Sequence, residues 1–278
     1  MTRVELPGGF ALNAEVRGDG PPLVLLHGFT GSAKSWGRFG DLLAERFTTV
    51  AFDIVGHGES DAPAGLDHYE MPQAVDDLAD AAAKLGFGRA AWLGYSMGGR
   101  VALHVANARP EAVRALVLIG ASAGLDCVED RLARRSADDL LAARIEREGV
   151  EAFVDYWEAL PLFATQRALP AEARAAVRSG RLAQRATGLA NSLRGMGTGA
   201  QEPLQHRLPE IRIPALVLAG ELDAKFTEIG QQLAASLPAA RFAPVPGAGH
   251  AAQLERPGET ARLVLEFLAQ TDATGDSV

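Results

Sequence analysis

The residue best placed to act as a nucleophile is a serine in a glycine-rich segment. Ser96 lies in the pattern Gly-Tyr-Ser-Met-Gly at 94–98, which follows an apolar run at 90–93 and precedes a helical pattern at 101–106. A G-x-S-x-G pattern is typical of a sharp strand-to-helix turn that exposes the serine hydroxyl above a sheet, with a helix N-terminus beneath it. We call this segment the serine turn. The pattern alone is a weak signal, because a chain with 30 glycines can contain an ordinary glycine-rich turn.

An aspartate and a histidine further along the chain could activate this serine. Asp223 follows the apolar run at 213–219, and His250 follows the run at 241–245. Because the carboxyl ends of parallel strands share one edge of a sheet, all three residues can meet there. In such a triad the histidine takes the serine proton, while the aspartate orients the imidazole and stabilises its charged form. Each residue alone could be an ordinary turn or loop residue, but the order Ser96, Asp223, His250 at three strand ends predicts a catalytic triad.

Backbone N–H groups beside the serine are expected to form an oxyanion hole. The apolar run at 23–26 leads directly into the glycine-rich loop at 27–32. We assign one donor to the backbone of Phe29 and the second to the backbone of Met97, since developing negative charge needs such donors. We interpret His27 as a structural residue bonded to the backbone rather than as the general base.

Short apolar runs that alternate with helical patterns predict an α/β fold, with a mostly parallel central sheet flanked by helices. After the sixth strand the alternation stops, and residues 126–200 carry helical patterns only. We therefore predict a core from residues 1–125 and 201–278, with a helical cap (lid) inserted at 126–200. A closing helix is predicted at 257–269, followed by a polar, frayed tail at 271–278.

Composition and charge narrow the class of protein. The net charge of −8 and the isoelectric point near 5.3 argue against nucleic acid as the main partner. No apolar segment resembles a signal peptide or approaches the length of a membrane span, so we expect a cytoplasmic protein without membrane insertion. The single cysteine, Cys127, cannot form an internal disulfide, which fits a reducing compartment. The sequence does not indicate an oligomeric state.

Several segments resemble the α/β-hydrolase superfamily. They are Leu26-His27-Gly28-Phe29, Asp53-x-x-Gly56-His57-Gly58-x-Ser60, the serine turn and Gly249-His250. The resemblance implies the α/β-hydrolase fold, with the cap following strand six. Membership of so broad a superfamily does not define a substrate.

Longer segments point to a narrower family. They are residues 27–32 with Trp36, and residues 94–100, 157–164 and 220–226. Together they resemble the 2-succinyl-6-hydroxy-2,4-cyclohexadiene-1-carboxylate synthases, the lyases of menaquinone biosynthesis that expel pyruvate. The more specific marks are Arg100 after the glycine pair and Lys225-Phe226 after the aspartate, which generic esterases usually lack.

The resemblance implies a set of substrate-binding residues. The family's substrate is a small polyanion with three carboxylates and a ketone, so a negatively charged protein must supply local cations. Arg100, one turn into the helix after the serine, and Arg134, on the cap, are expected to bind carboxylates. Tyr95 and Trp157 are expected to line the pocket. Alternatively, Arg100 could pair with an acid of the cap, Arg134 could lie at the surface, and Trp157 could belong to the core of the cap.

The implied reaction is proton abstraction next to a carbonyl group. Ser96, activated by His250 and Asp223, acts as the base; the enolate oxygen lies on the two backbone N–H groups, and pyruvate leaves. No metal and no organic cofactor is needed. One alternative is a carboxylic-ester or carbon–carbon bond hydrolase in which Ser96 is a true nucleophile. Another is a ligand-binding protein without catalysis, although an intact triad argues against it.

Overall fold

The computed structural model describes residues 1–275. Within them one eight-stranded sheet is built from β1 Thr2–Leu6, β2 Phe10–Arg17, β3 Pro22–Leu26, β4 Thr48–Phe52, β5 Ala90–Tyr95, β6 Val113–Ile119, β7 Ala215–Gly220 and β8 Ala240–Val245. The order across the sheet is β1-β2-β4-β3-β5-β6-β7-β8. β2 is antiparallel to both β1 and β4, and the other neighbouring strands are parallel. The prediction of a mostly parallel sheet is confirmed.

Both faces of the sheet are buried, which explains the continuous apolar runs of its central strands. Along β3, Leu23 and Leu25 pack into the apolar layer on one face. Val24 and Leu26 pack into the layer on the other face. All four side chains are at most 1% exposed. The core therefore consists of two layers, and the carboxyl ends of the parallel strands form one edge at which loops can meet.

Helices cover both faces of the sheet. Those of the described residues are α1 Gly37–Ala44, α2 Met71–Lys84, α3 Met97–Ala108, α4 Val128–Glu158, α5 Ala171–Leu182, α6 Ala186–Met196, α7 Ala224–Ser236, α8 Ala252–Glu255 and α9 Pro257–Gly275. Residues 1–275 contain no helix that has both the length and the apolar character to cross a membrane.

Three helices differ from the sequence analysis. The helices α7 and α8 were not predicted. The closing helix α9 continues to Gly275, because residues 270–274 contain no proline or glycine. The prediction of a frayed tail from residue 271 is therefore wrong up to this point. The rest of the predicted tail, 276–278, lies outside the described residues.

Between β6 and β7 the chain forms α4, a 3-10 helix at Pro161–Ala168, α5 and α6, with no strand among these described residues. The helix α4 is kinked at Gly149, whose φ is +84°. The helix α6 is attached to the loop after β4, since Gly188 lies directly against the backbone of Gly56. Arg185 donates a hydrogen bond to the Ser60 carbonyl of the same loop. This helix is therefore held firmly on the core.

A methyl group at the contact between α6 and the core should weaken the fold. In Gly188→Ala the new Cβ would collide with the Gly56 carbonyl oxygen, so the free energy of unfolding in urea should fall by about 1–3 kcal/mol. Gly180→Ala is the matched control in α5, because nothing lies within 4 Å of its Cβ position. There the better helix propensity should raise stability by about 0.5–1 kcal/mol. Equal stability of the two variants would contradict this account.

Candidate active site

The serine turn has a strained backbone. Ser96 has φ +51° and ψ −110°, a combination outside the regions that L-residues favour. A Cβ on Gly94 would collide with the Gly98 carbonyl, and a Cβ on Gly98 would collide with the Leu26 carbonyl. Two glycines are therefore required for this turn, which places Ser96 at the start of α3 and on the wall of a cavity.

The structure brings the three predicted triad side chains together. His250 Nε2 lies 3.2 Å from Ser96 Oγ, and His250 Nδ1 lies 2.8 Å from Asp223 Oδ2. Because an ionised carboxylate can only accept, Nδ1 carries the proton and Nε2 is left to accept the serine proton. The side chains of His250 and Asp223 are 2% and 8% exposed. The arrangement can therefore deprotonate Ser96 in a site that is largely shielded from water.

Asp223 is also held by the helix that follows it. It is the N-cap of α7, where its Oδ1 accepts the N–H of Phe226 at 3.2 Å. The Phe226 ring packs on the His250 ring with the centroids 4.4 Å apart. An aspartate is a preferred N-cap, so the sequence contained the signal for this helix. One carboxylate thus starts a helix with one oxygen and orients the histidine with the other.

Glu255, at the end of α8, holds the loop that carries the histidine. Its carboxylate accepts the N–H of Gly249 at 2.7 Å and the N–H of Ala251 at 3.3 Å. These are the two backbone groups on either side of His250. Sequence reasoning missed this residue, because a glutamate five positions after a histidine carries no recognisable signal until the loop is folded.

The two predicted oxyanion donors border the same cavity as the serine. Within residues 1–275, neither the Phe29 N–H nor the Met97 N–H has a protein acceptor. The loop of Phe29 is fixed by His27, whose Nδ1 bonds the Gly28 carbonyl at 2.8 Å and whose Nε2 accepts the Ile54 N–H at 3.0 Å. Burial lowers the pKa of His27 to about 4, so the ring stays neutral and serves as a structural residue, as expected.

The cavity has a volume of about 1350 Å³ and is partly lined by aromatic rings. Trp157 of α4 packs edge-on against Phe29 with the ring centroids 5.4 Å apart, and it is half-buried. Tyr95 packs on His250 at 5.4 Å, and burial raises the pKa of its hydroxyl. The structure therefore places both predicted pocket residues on the cavity wall.

Arg100 is a buried cation that faces the cavity. Its Nη1 donates to the Met196 carbonyl at 2.7 Å and to the side-chain oxygen of Gln201. Within the described part of the chain no carboxylate lies at ion-pair distance from it, but Asp138 of the cap is near enough to attract its charge. The alternative of an acidic partner on the cap is therefore met only by this longer-range attraction. Burial lowers the pKa of Arg100 to about 10, which leaves it charged at neutral pH.

Arg134 lies on α4 and also borders the cavity. Its side chain is 46% exposed and forms an ion pair with Asp138, one turn further along the helix, at 2.8 Å. Burial raises the pKa of the Asp138 carboxyl. Arg134 therefore borders the cavity, as predicted for a substrate-binding residue, and is also partly exposed at the protein surface, as in the alternative.

A further arginine on the cavity wall was missed. Arg181 of α5 is buried and bonds Glu158 at 3.1 Å and Gln166 at 3.1 Å. Its guanidinium lies over the Phe163 ring, 5.1 Å from the centroid. Nothing in the sequence separates it from the other arginines of the region. Among residues 1–275 no group of three or more His, Cys, Asp or Glu side chains is arranged to hold a metal ion.

The fold and the site define a class of protein. The α/β hydrolase fold family matches residues 21–257, a range that contains all three triad positions. The chain belongs to this family, and the predicted α/β-hydrolase fold is confirmed.

Relatives define the family more narrowly. A Bacillus subtilis (strain 168) protein named for 2-succinyl-6-hydroxy-2,4-cyclohexadiene-1-carboxylate synthase is 44% identical over 246 residues, which are 88% of this chain and 89% of the relative. The synthase of Klebsiella pneumoniae subsp. pneumoniae is 34% identical over 250 residues, 90% of this chain and 94% of the relative. The chain is thus a member of the 2-succinyl-6-hydroxy-2,4-cyclohexadiene-1-carboxylate synthase family.

Solved structures agree with this assignment. MenH from S. aureus has a TM-score of 0.88 and 31% identity, covering 94% of this chain and 98% of its own. A malate-bound thermophilic esterase from Thermogutta terrifontis has a TM-score of 0.85 and 28% identity, covering 97% of this chain and 98% of its own. The fold is therefore shared with an esterase, so the fold alone does not define the reaction.

The contact between Glu255 and the histidine loop generates a prediction. Glu255→Ala removes the acceptor of both N–H groups beside His250, so kcat should fall about 10- to 100-fold, the order of effect expected when a catalytic group is misplaced. Glu221→Ala is the matched control, because Glu221 accepts the Gly247 N–H of the same loop at 2.9 Å but is exposed. Its kcat should stay within about twofold of wild type. If the two variants had the same kcat, Glu255 would not be holding the histidine.

Proposed function

We propose that this protein is a lyase that converts 2-succinyl-5-enolpyruvyl-6-hydroxy-3-cyclohexene-1-carboxylate to 2-succinyl-6-hydroxy-2,4-cyclohexadiene-1-carboxylate, with release of pyruvate. The observation that carries the proposal is a buried arginine, Arg100, with no carboxylate of the described chain at ion-pair distance, on the wall of the same cavity as a serine–histidine–aspartate triad. The identity to relatives named for this synthase supports it.

The cations of the cavity suit a substrate with several carboxylates. Arg100, Arg134 and Arg181 all border it, and a guanidinium can bind a carboxylate through two parallel hydrogen bonds. A neutral ester would leave the buried charge of Arg100 without a counter-charge at ion-pair distance, which is unfavourable. The cavity therefore favours a small polyanion over an ester.

The triad supplies the base in this mechanism. His250 accepts the Ser96 proton, and the serine oxygen then removes the proton next to the carbonyl group of the substrate. The enolate oxygen is stabilised by the N–H groups of Phe29 and Met97. When the electrons move through the ring, the carbon–oxygen bond to the enolpyruvyl group breaks, and pyruvate leaves. The leaving enolpyruvate takes up the proton held by His250 and becomes pyruvate, while Ser96 keeps the proton taken from the substrate. The triad is thereby restored, and the serine forms no bond to carbon.

We also propose that residues 126–200 act as a cap over the site, between core segments at 1–125 and 201–278. Side chains of this stretch, among them Arg134, Trp157 and Arg181, form part of the cavity wall. Closing the cap would exclude water from the enolate and strengthen its hydrogen bonds. A small water-soluble substrate is consistent with an enzyme of the cytoplasm, where we propose that it acts.

Removing any member of the triad should abolish most of the activity. Ser96→Ala, Asp223→Asn and His250→Ala should each lower kcat for pyruvate release by about 10³-fold or more, and the effects should not add, because the three side chains act as a unit. Pyruvate can be followed by a coupled assay. Full activity of Ser96→Ala would exclude the serine as the base.

The arginines should separate the lyase from an esterase. Arg100→Ala and Arg134→Ala should each lower kcat/KM for the tricarboxylate about 100-fold or more, because charge-assisted hydrogen bonds are lost in a partly desolvated pocket. Hydrolysis of a small neutral ester should barely change. Arg147→Ala, on the exposed surface of α4, is the matched control and should behave as wild type with both substrates.

Salt and pre-steady-state kinetics give independent readouts. High salt should raise KM for the tricarboxylate but not for the neutral ester, since screening weakens charge pairs. Pyruvate should appear without a burst. No pyruvate release, a burst with neutral esters and wild-type behaviour of both arginine variants would together establish an esterase instead.

A further inference from the structure

Gln201 lies between the end of α6 and the body of the core, in contact with α3. It is 2% exposed. Its side-chain oxygen accepts a hydrogen bond from the Arg100 guanidinium, and its Nε2 lies 3.4 Å from His104 Nε2. Arg100 and His104 are one turn apart on α3, so a single glutamine side chain spans both of them.

The orientation of this amide follows from its neighbours. A guanidinium has only donors, so the oxygen of Gln201 must face Arg100 and the nitrogen must face His104. The Nε2 of His104 is then the acceptor, which requires a neutral ring. Burial and the charge of Arg100 lower the pKa of His104 to about 4, so the ring remains neutral under ordinary conditions.

The same contacts determine which edge of the Arg100 guanidinium is available to bind a carboxylate. Its Nη1 is bound by the Met196 carbonyl at 2.7 Å and by Gln201. Within residues 1–275, no protein acceptor binds Nε or Nη2, and the residue borders the cavity. Two neutral oxygens thus fix one end of the guanidinium without neutralising its charge, and the other edge can receive a carboxylate.

We propose that Gln201 is a positioning residue that holds Arg100 in the orientation required to bind a substrate carboxylate, and that His104 holds Gln201. This inference rests on the proposed function, because it assumes that Arg100 binds a carboxylate. Gln201 acts through Arg100 and does not touch the substrate. Its neutrality matters as much as its position, since a carboxylate at this point would compete with the substrate for Arg100.

The first test compares substrates. Gln201→Ala should raise KM for pyruvate release from the tricarboxylate about tenfold, as expected for one hydrogen bond to a charged group, with kcat within about twofold. Gln201→Glu should raise KM further, because the new carboxylate pairs with Arg100. Neutral-ester hydrolysis should be unchanged in both variants. Gln232→Ala is the matched control, since this exposed glutamine borders the same cavity but bonds Glu228. A purely structural role of Gln201 would instead impair both reactions equally.

The second test is a double-mutant cycle. If Gln201 acts only through Arg100, then Gln201→Ala should have no further effect on KM in the Arg100→Ala background. His104→Gln, which keeps an acceptor for the amide of Gln201, should retain a near wild-type KM, whereas His104→Phe should raise it. Additive effects of the Gln201 and Arg100 variants would overturn the proposal.

A binding measurement separates this proposal from the proposed function. Citrate, a tricarboxylate, is titrated calorimetrically into wild type, Gln201→Ala, Arg100→Ala and the double variant. If wild type releases no pyruvate but Gln201→Ala weakens citrate binding only when Arg100 is present, the proposed reaction falls and the role of Gln201 stands. If wild type releases pyruvate and Gln201→Ala matches wild type in both KM and citrate affinity, the role of Gln201 falls and the reaction stands. If wild type neither releases pyruvate nor binds citrate, both the proposed reaction and the proposed role of Gln201 are overturned.

Discussion

The site depends on one backbone constraint, the strained conformation of Ser96. Its φ of +51° is tolerated because Gly94 and Gly98 lack a Cβ, which at either position would collide with a backbone carbonyl packed against the turn. The tightly packed sheet core beneath the turn maintains this strained conformation, because β5, which leads into the turn, is buried on both faces. The result is a hydroxyl that stands at the sheet edge with a helix N-terminus below, in the position where the other loops meet.

Each functional group at this edge is held by a second polar contact that takes no part in the chemistry. Asp223 is fixed by the first turn of α7, and the histidine loop is fixed by Glu255. The loop of Phe29 is fixed by His27. Such support matters because proton transfer and oxyanion stabilisation require geometry within a fraction of an ångström. The supporting residues come from different elements, so contacts from several parts of the fold maintain the geometry of the site.

Local patterns in the sequence made much of the fold and of the site predictable. The apolar runs located β3 and β5, and the glycine spacing located the turn at Ser96, because both are properties of short segments. Other features depend on contacts between distant segments. The sequence around Arg181 does not distinguish it from the exposed arginines of the same region. Arg181 becomes buried against Gln166 only when the chain folds. Gln201 touches Arg100 across about a hundred residues of chain, a relation that no local pattern encodes. The helix α7 was not predicted, although Asp223 is a residue type preferred at the N-cap of a helix.

The buried guanidinium of Arg100 links ligand binding to the stability of the protein. Its hydrogen bonds go to neutral oxygens of Met196 and Gln201, and Asp138 attracts its charge only from beyond ion-pair distance. A buried charge without a close counter-charge opposes folding. If Arg100 binds a substrate carboxylate as proposed, that carboxylate supplies a close counter-charge in the folded state alone. Such a ligand would raise the free energy of unfolding, so the protein's resistance to heat and proteolysis should increase with the ligand concentration.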